Sequence, residues 1–103
     1  CKSGKYQLCE NYQMIGSHRY GGFEEFCTVP ESNVINIGSK ISYEEAAMIE
    51  PLAVAAHGVM GLDPQTGDQV AVFGLGTIGI LSVQWLRLTG VKKIIGIDID
   101  PIN

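Results

Sequence analysis

Six consecutive residues, Gly74-Leu75-Gly76-Thr77-Ile78-Gly79, carry the spacing of a phosphate-cradling turn. The pattern is weak alone and informative in context. Here it follows an apolar run, Val70-Ala71-Val72-Phe73, and opens a helical pattern. Gly74 would allow the tight turn, Gly76 would let backbone approach a pyrophosphate, and Gly79 would let helix and strand pack closely. The N–H groups of Thr77 and Ile78 would then face the phosphates, helped by the helix dipole. A second apolar run, Ile94-Ile95-Gly96-Ile97, ends on Asp98, 19 residues beyond Gly79. A carboxylate there accepts both hydroxyls of an adenosine ribose and repels a 2′-phosphate, which favours NAD over NADP. A turn serving helix–strand packing alone and a methyltransferase-type adenosine site are the alternatives the turn itself leaves open.

The remaining candidates are single residues. Glu50 lies between Ala46-Ala47-Met48-Ile49 and Leu52-Ala53-Val54-Ala55-Ala56. A carboxylate buried in such a setting needs a partner, a hydrogen bond or a metal, and a helix start also favours an anion. The alternative is a surface glutamate capping a helix. Cys1 and Cys9, with seven residues between them, are half of a tetrahedral zinc site; by themselves they read as free thiols. Cys27 reads as a small buried hydrophobe in a strand. His57 is expected to be a packed, hydrogen-bonded histidine rather than a base. His18 and Arg19 lie in a loop, where they read as solvated charge more readily than as a phosphate contact.

The elements that must position these groups follow from local pattern. Residues 1–22 are polar and aperiodic and read as loop. Phe23 to Val29, ended by Pro30, reads as a strand, and Val34 to Ile37 as a second one. Ser42 with Glu45 is a capping box, so a short helix starts at Tyr43. Pro51 suits the first turn of a new helix over Leu52 to Met60, with Gly61 as its cap. Asp63 to Asp68 is a turn cluster. Val70–Phe73 and Ile94–Ile97 read as strands buried on both faces. Ile78 to Leu88, closed by Gly90, reads as a helix with Ile78, Leu81, Trp85 and Leu88 on its apolar side. Asp100 reads as the N-cap of a helix begun by Pro101.

Composition narrows the function classes. The 103 residues are 46% apolar and 17% charged, with formal net charge −4. That excludes a disordered acidic tail and argues against nucleic acid or an anionic membrane as partner. No apolar stretch nears the roughly 20 residues a bilayer span needs. Three cysteines do not close a disulfide framework, so a reducing cytoplasm is the expected compartment. A start on Cys1 and a stop at Asp98-Ile99-Asp100-Pro101-Ile102-Asn103 read as the ends of an interior piece.

Taken together, these residues resemble the zinc-dependent medium-chain dehydrogenases, in particular the polyol branch with its sorbitol and galactitol-1-phosphate dehydrogenases. Threonine and butanediol dehydrogenases are cousins. Cys1 and Cys9, with Gly4 between, match the last two cysteines of that family's structural zinc lobe. Gly21-Gly22-Phe23 matches the strand that follows, and Ile49-Glu50-Pro51-Leu52 the Glu-Pro-Leu segment of the polyol branch. The Glu-Pro-Leu segment before the glycine-rich turn sets the methyltransferase reading aside.

The resemblance implies an α/β chain joining the end of a β-rich GroES-like catalytic domain (1–50) to the first βαβ unit of a Rossmann NAD-binding domain (51–103). It implies half of a structural zinc site at Cys1 and Cys9. Glu50 would sit at a catalytic zinc, directly or through its water. Gly74, Gly76, Thr77, Ile78 and Gly79 would hold the pyrophosphate, and Asp98 the ribose. The whole protein would oxidise a polyol or polyol phosphate with NAD, as a homodimer or homotetramer. The 103 residues alone are expected to be inactive. A non-catalytic dinucleotide-binding relative is the alternative of a different class.

Overall fold

The computed structural model describes residues 4–100. The chain divides into two units, Cys1–Asn36 and Ile37–Asn103.

Among the described residues the first unit is loop with two 3-10 turns, Tyr6–Leu8 and Glu31–Asn33. Between them, residues 14–19 fold back on themselves. The Met14 carbonyl accepts the Ser17, His18 and Arg19 N–H groups, and Gly16 N–H donates to the Arg19 carbonyl at 2.9 Å. The strands expected over 23–29 and 34–37 are not formed. The apolar residues are there, but a strand needs a ladder to bond its backbone, and the sheet among the described residues is formed further along the chain, within 69–97. Phe23, Phe26 and Ile35 are accordingly exposed. Cys27 is exposed as well, not buried in a strand.

The second unit opens with α1 (Tyr43–Ala47), started by the expected capping box. The Ser42 side chain accepts the Glu45 N–H at 3.1 Å, and the Glu45 carboxylate accepts the Ser42 N–H at 2.8 Å. Helix α2 (Ile49–Leu62) begins at once from Met48, earlier than Pro51 suggested, and takes the proline into its first turn. It also runs past Gly61. The left-handed residue that ends it is Asp63, at φ 50°. A short polar side chain tolerates that conformation, and the Gln65 side-chain Nε2 donates to the Asp63 carbonyl at 2.8 Å.

Strand β1 (Gln69–Phe73), helix α3 (Thr77–Leu86) and parallel strand β2 (Lys93–Ile97) follow. Val70 pairs with Ile94, Val72 with Gly96 and Phe73 with Ile97. Helix α3 stops two residues before Leu88, and a turn through Gly90 at φ 81° completes the reversal. Among the described residues the buried side chains are Ala55 and Val59 of α2 and Leu81 and Leu86 of α3. Leu86, at 1% exposure, is the most enclosed of them, whereas Leu88 of the expected apolar side lies outside the helix and is exposed.

Burial on both sheet faces is not seen. Val70, Val72 and Ile94 are half-buried, whereas Phe73 is 77% exposed and Ile95 and Ile97 are also open. A parallel sheet is covered by its crossover helices. One crossover, α3, covers one face.

Candidate functional site

The glycine-rich turn is built by the end of β1, the start of α3 and the end of β2. Gly74 continues the ladder, its N–H donating to the Ile97 carbonyl at 2.8 Å, and then turns at φ 85°. That left-handed value suits glycine. Gly76 is the N-cap of α3 and supplies no side-chain cap, and no acid stands in the first turn. The first closing bond is Ile80 N–H to the Gly76 carbonyl at 2.9 Å. The N–H groups of Thr77, Ile78 and Gly79 therefore precede the ladder, at the positive end of the helix.

The three glycines differ in what surrounds them. A Cβ on Gly79 would stand 1.9 Å from the Gly74 carbonyl oxygen, so close approach of α3 to the turn requires glycine. A Cβ on Gly76 would meet nothing within 4 Å. Gly76 thus leaves space outside the turn rather than inside the fold. A depression of about 460 Å³ lies there, lined among others by Gly74, Gly76, Thr77, Ile78, Gly79 and Ser82. Open room over an uncapped helix start fits a pyrophosphate.

Asp98 stands at the end of β2, as the sequence predicts, and its carboxylate is already engaged. Oδ2 accepts the Leu75 N–H of the turn, and Oδ1 accepts the Asp100 N–H at 3.1 Å. These amides, Leu75 foremost, with Asp100 and Ile99, hold the carboxyl below the ordinary aspartate range, with desolvation opposing. The sequence reading missed the part of Leu75 and of Gly96. The Leu75 side chain lies over Gly96, where a Cβ would come within 2.9 Å of Cδ1. A glycine two residues before the strand-end acid was the available signal.

Glu50 occupies the second position of α2, in its first turn. It is exposed, so the burial argued from its apolar neighbours does not hold for the described residues. The reason is helical periodicity. At about 100° per residue, Glu50 lies roughly 140–180° around α2 from the buried Ala55 and Val59. His57 is exposed by the same geometry, and the packed, hydrogen-bonded histidine expected there is not found. The two residues share one face of α2, about 10 Å apart along the axis.

In the first unit Cys9 is a half-buried free thiol, and Cys1 lies outside the described residues. Pro101 does too, so the helix expected after Asp100 falls outside the description. Among the described residues no three His, Cys, Asp or Glu side chains come together to hold a metal. His18 accepts the Met14 N–H on Nδ1 at 3.1 Å and sets its ring edge-on to Tyr12. Arg19 donates to Gln13. Both border a cleft of about 770 Å³ that also takes in Ser17, Tyr20, Glu24, Phe26 and Thr28. No helix among the described residues is long and apolar enough to cross a membrane.

Known proteins match the chain nearly end to end. It is 39% identical over 101 residues to the L-threonine 3-dehydrogenase of Rhizobium etli (strain CIAT 652), covering 98% of this chain and 29% of that protein. It is 35% identical over 103 residues to the L-threonine 3-dehydrogenase of Sinorhizobium fredii, covering 100% and 30%. The crystal structure of galactitol-1-phosphate dehydrogenase from Escherichia coli superposes with a TM-score of 0.86 at 36% identity, covering 97% of this chain and 29% of that one. The chain therefore spans under a third of the length of the relatives it matches. No family model matches it.

Proposed function

We propose a function for a chain that belongs, by sequence and by fold, to the zinc-dependent medium-chain alcohol dehydrogenase family: the protein carrying it moves a hydride from a secondary alcohol to NAD, leaving a ketone. The observation that carries this reading is the cradle at Gly76, open outward over the uncapped start of α3. The N–H groups of Thr77 and Ile78, with Gly74, Gly76 and Gly79, receive the pyrophosphate. Asp98 receives the adenosine ribose, and its negative charge disfavours a 2′-phosphate. Residues 1–50 are assigned to the catalytic domain and 51–103 to the dinucleotide-binding domain of a homodimer or homotetramer.

The metal assignment is partial by its chemistry. A carboxylate and thiolates are ordinary zinc donors, but Glu50 supplies one ligand and Cys9, with Cys1, two. The other donors belong to residues outside this chain. Glu50 contributes to the catalytic site from the start of α2; Cys1 and Cys9 hold half of the structural site. When bound, zinc supplies Lewis-acid polarisation of the alcohol oxygen and the nicotinamide supplies the hydride acceptor. The share of this chain is to hold and orient the cofactor, which converts a bimolecular encounter into a positioned one.

The substrate is assigned as a polyol or polyol phosphate. A galactitol phosphate and L-threonine, the compounds in the relatives' names, both carry a secondary alcohol. The identity to proteins named for threonine supports an amino alcohol as the second reading. The full-length protein, assayed with NAD and NADP against galactitol 1-phosphate, sorbitol and L-threonine, separates them; no turnover of any secondary alcohol refutes the proposal.

Two substitutions test the residues. Asp98→Ser should weaken NAD by at least about tenfold while helping NADP, since charge-assisted hydrogen bonds to the ribose are lost. An unchanged ratio of kcat/KM for the two cofactors would remove Asp98 from the ribose. Glu50→Ala should lower kcat or metal affinity by about 10–100-fold or more while NAD affinity holds. Near-normal kcat with zinc intact returns Glu50 to an ordinary helix-start carboxylate.

A further inference from the structure

Leu75 stands between the first two glycines of the turn, and β2 holds it from two directions. Its side chain rests over Gly96, with a Cβ position there only 2.9 Å from Cδ1. Its backbone N–H donates to Asp98 Oδ2. Beside it, Gly74 N–H donates to the Ile97 carbonyl at 2.8 Å. A segment framed by two glycines is costly to order, because glycine has the most backbone freedom to lose. Something must fix it before it can present its amides in one arrangement.

We infer that Asp98 is a positioning residue for the glycine-rich turn, as well as an acceptor for the ribose, so that the adenosine and pyrophosphate subsites are coupled through the Asp98–Leu75 hydrogen bond. The inference deepens the dinucleotide reading and rests on it. The carboxylate has the capacity for both tasks. It offers about four lone-pair sites. The Leu75 and Asp100 amides take one each, on different oxygens, the Ile99 amide also favours the carboxylate, and at least one site remains for a ribose hydroxyl. A carboxylate bound to amides also makes a stronger bond than a neutral acceptor would. The strap is therefore in place in the ligand-free chain and need not break on binding. Removing it costs affinity for ligands that never touch Asp98.

That consequence gives the test. ADP and 2′,3′-dideoxy-ADP share the adenine and the diphosphate, but only ADP has the diol. Their affinities are measured on the full-length protein and on Asp98→Ala. If Asp98 served the ribose alone, dideoxy-ADP would bind both proteins equally. Coupling predicts that Asp98→Ala weakens dideoxy-ADP as well, by up to about tenfold, because a charge-assisted bond ordering its phosphate site is gone. Equal dideoxy-ADP affinity in folded wild type and variant overturns the inference. A wild type that binds neither ADP nor NAD removes the dinucleotide reading instead. Hydrogen exchange resolved at single amides on the ligand-free wild type decides the strap without any variant. Leu75 N–H should exchange well below its random-coil rate, and a random-coil rate there overturns the strap whatever the ligands do.

Discussion

Cys1–Asn36 and Ile37–Asn103 both carry many large apolar side chains but use them differently. In the second unit Val59, Leu81 and Leu86 are buried and Val70, Val72 and Ile94 half-buried. In the first, Phe23, Phe26, Ile35 and the tyrosines stand exposed. The difference is where each residue's partner lies in the sequence. A βαβ unit closes within about 30 residues: β1 finds β2, and α3 between them supplies the cover. A strand over 23–29 must find its ladder elsewhere, and no other described segment provides one. Hydrophobic content therefore does not predict burial in a short chain. Sequence distance to the partner does.

The largest test of that contrast is hydrogen exchange on the 103-residue chain. Slow amides should be confined to α2, β1, α3, β2 and the bonded Gly74 and Leu75 amides of the turn, while 23–29 exchange near the random-coil rate, since local opening follows buried contacts and paired backbone. Protected amides over 23–29 would show that the first unit pairs its backbone within the chain, and the comparison would fail.

A smaller effect compares two glycines. Gly79→Ala forces a Cβ to 1.9 Å from a backbone oxygen, while Gly22→Ala places one where nothing lies within 4 Å. Overpacking against fixed backbone should cost about 3 kcal/mol or more at Gly79, at the upper end of the usual range. The Gly22 variant should melt within a degree or two of wild type. Similar losses at both positions would mean that the turn region is no more tightly built than the loop.

What the sequence made legible follows the same division. The capping box at Ser42 and Glu45, the strand–turn–helix–strand order and the place of Asp98 are local patterns whose physics is complete within a few residues. The strands at 23–29 and 34–37 were misread because a β pattern states a preference for pairing, not the presence of a pair. The exposure of Glu50 was misread because apolar neighbours in sequence are spread around a helix rather than gathered about one residue. The Asp98–Leu75 bond spans two elements, and nothing in either segment alone announces it. The possible roles of Cys1 and Cys9 were visible only by resemblance, since a thiol pair carries no geometry of its own.

The smallest prediction concerns Gly61, where sequence and structure disagree about the backbone itself. Read as a cap, it would need the left-handed conformation, and alanine there would strain the chain. In the structure Gly61 lies inside α2, its φ is not positive, and Asp63 takes the left-handed position at φ 50°. A Cβ on Gly61 meets nothing within 4 Å, so alanine adds no clash. What remains is the unfolded state. Alanine has fewer backbone states to lose on folding than glycine, and in a compatible helical site the exchange stabilises by about 0.4–1 kcal/mol. The site is one residue from the end of the helix, where fraying dilutes the gain, so the lower end of that range is expected. Gly61→Ala should therefore raise the melting temperature by a degree or so. The companion change Asp63→Gly should cost little, because glycine suits φ 50° better than aspartate while giving up unfolded-state restraint. A clear loss of stability in Gly61→Ala would place the helix end at Gly61 after all, with Asp63 outside it, and would shorten the element that sets Glu50 and His57 on one face.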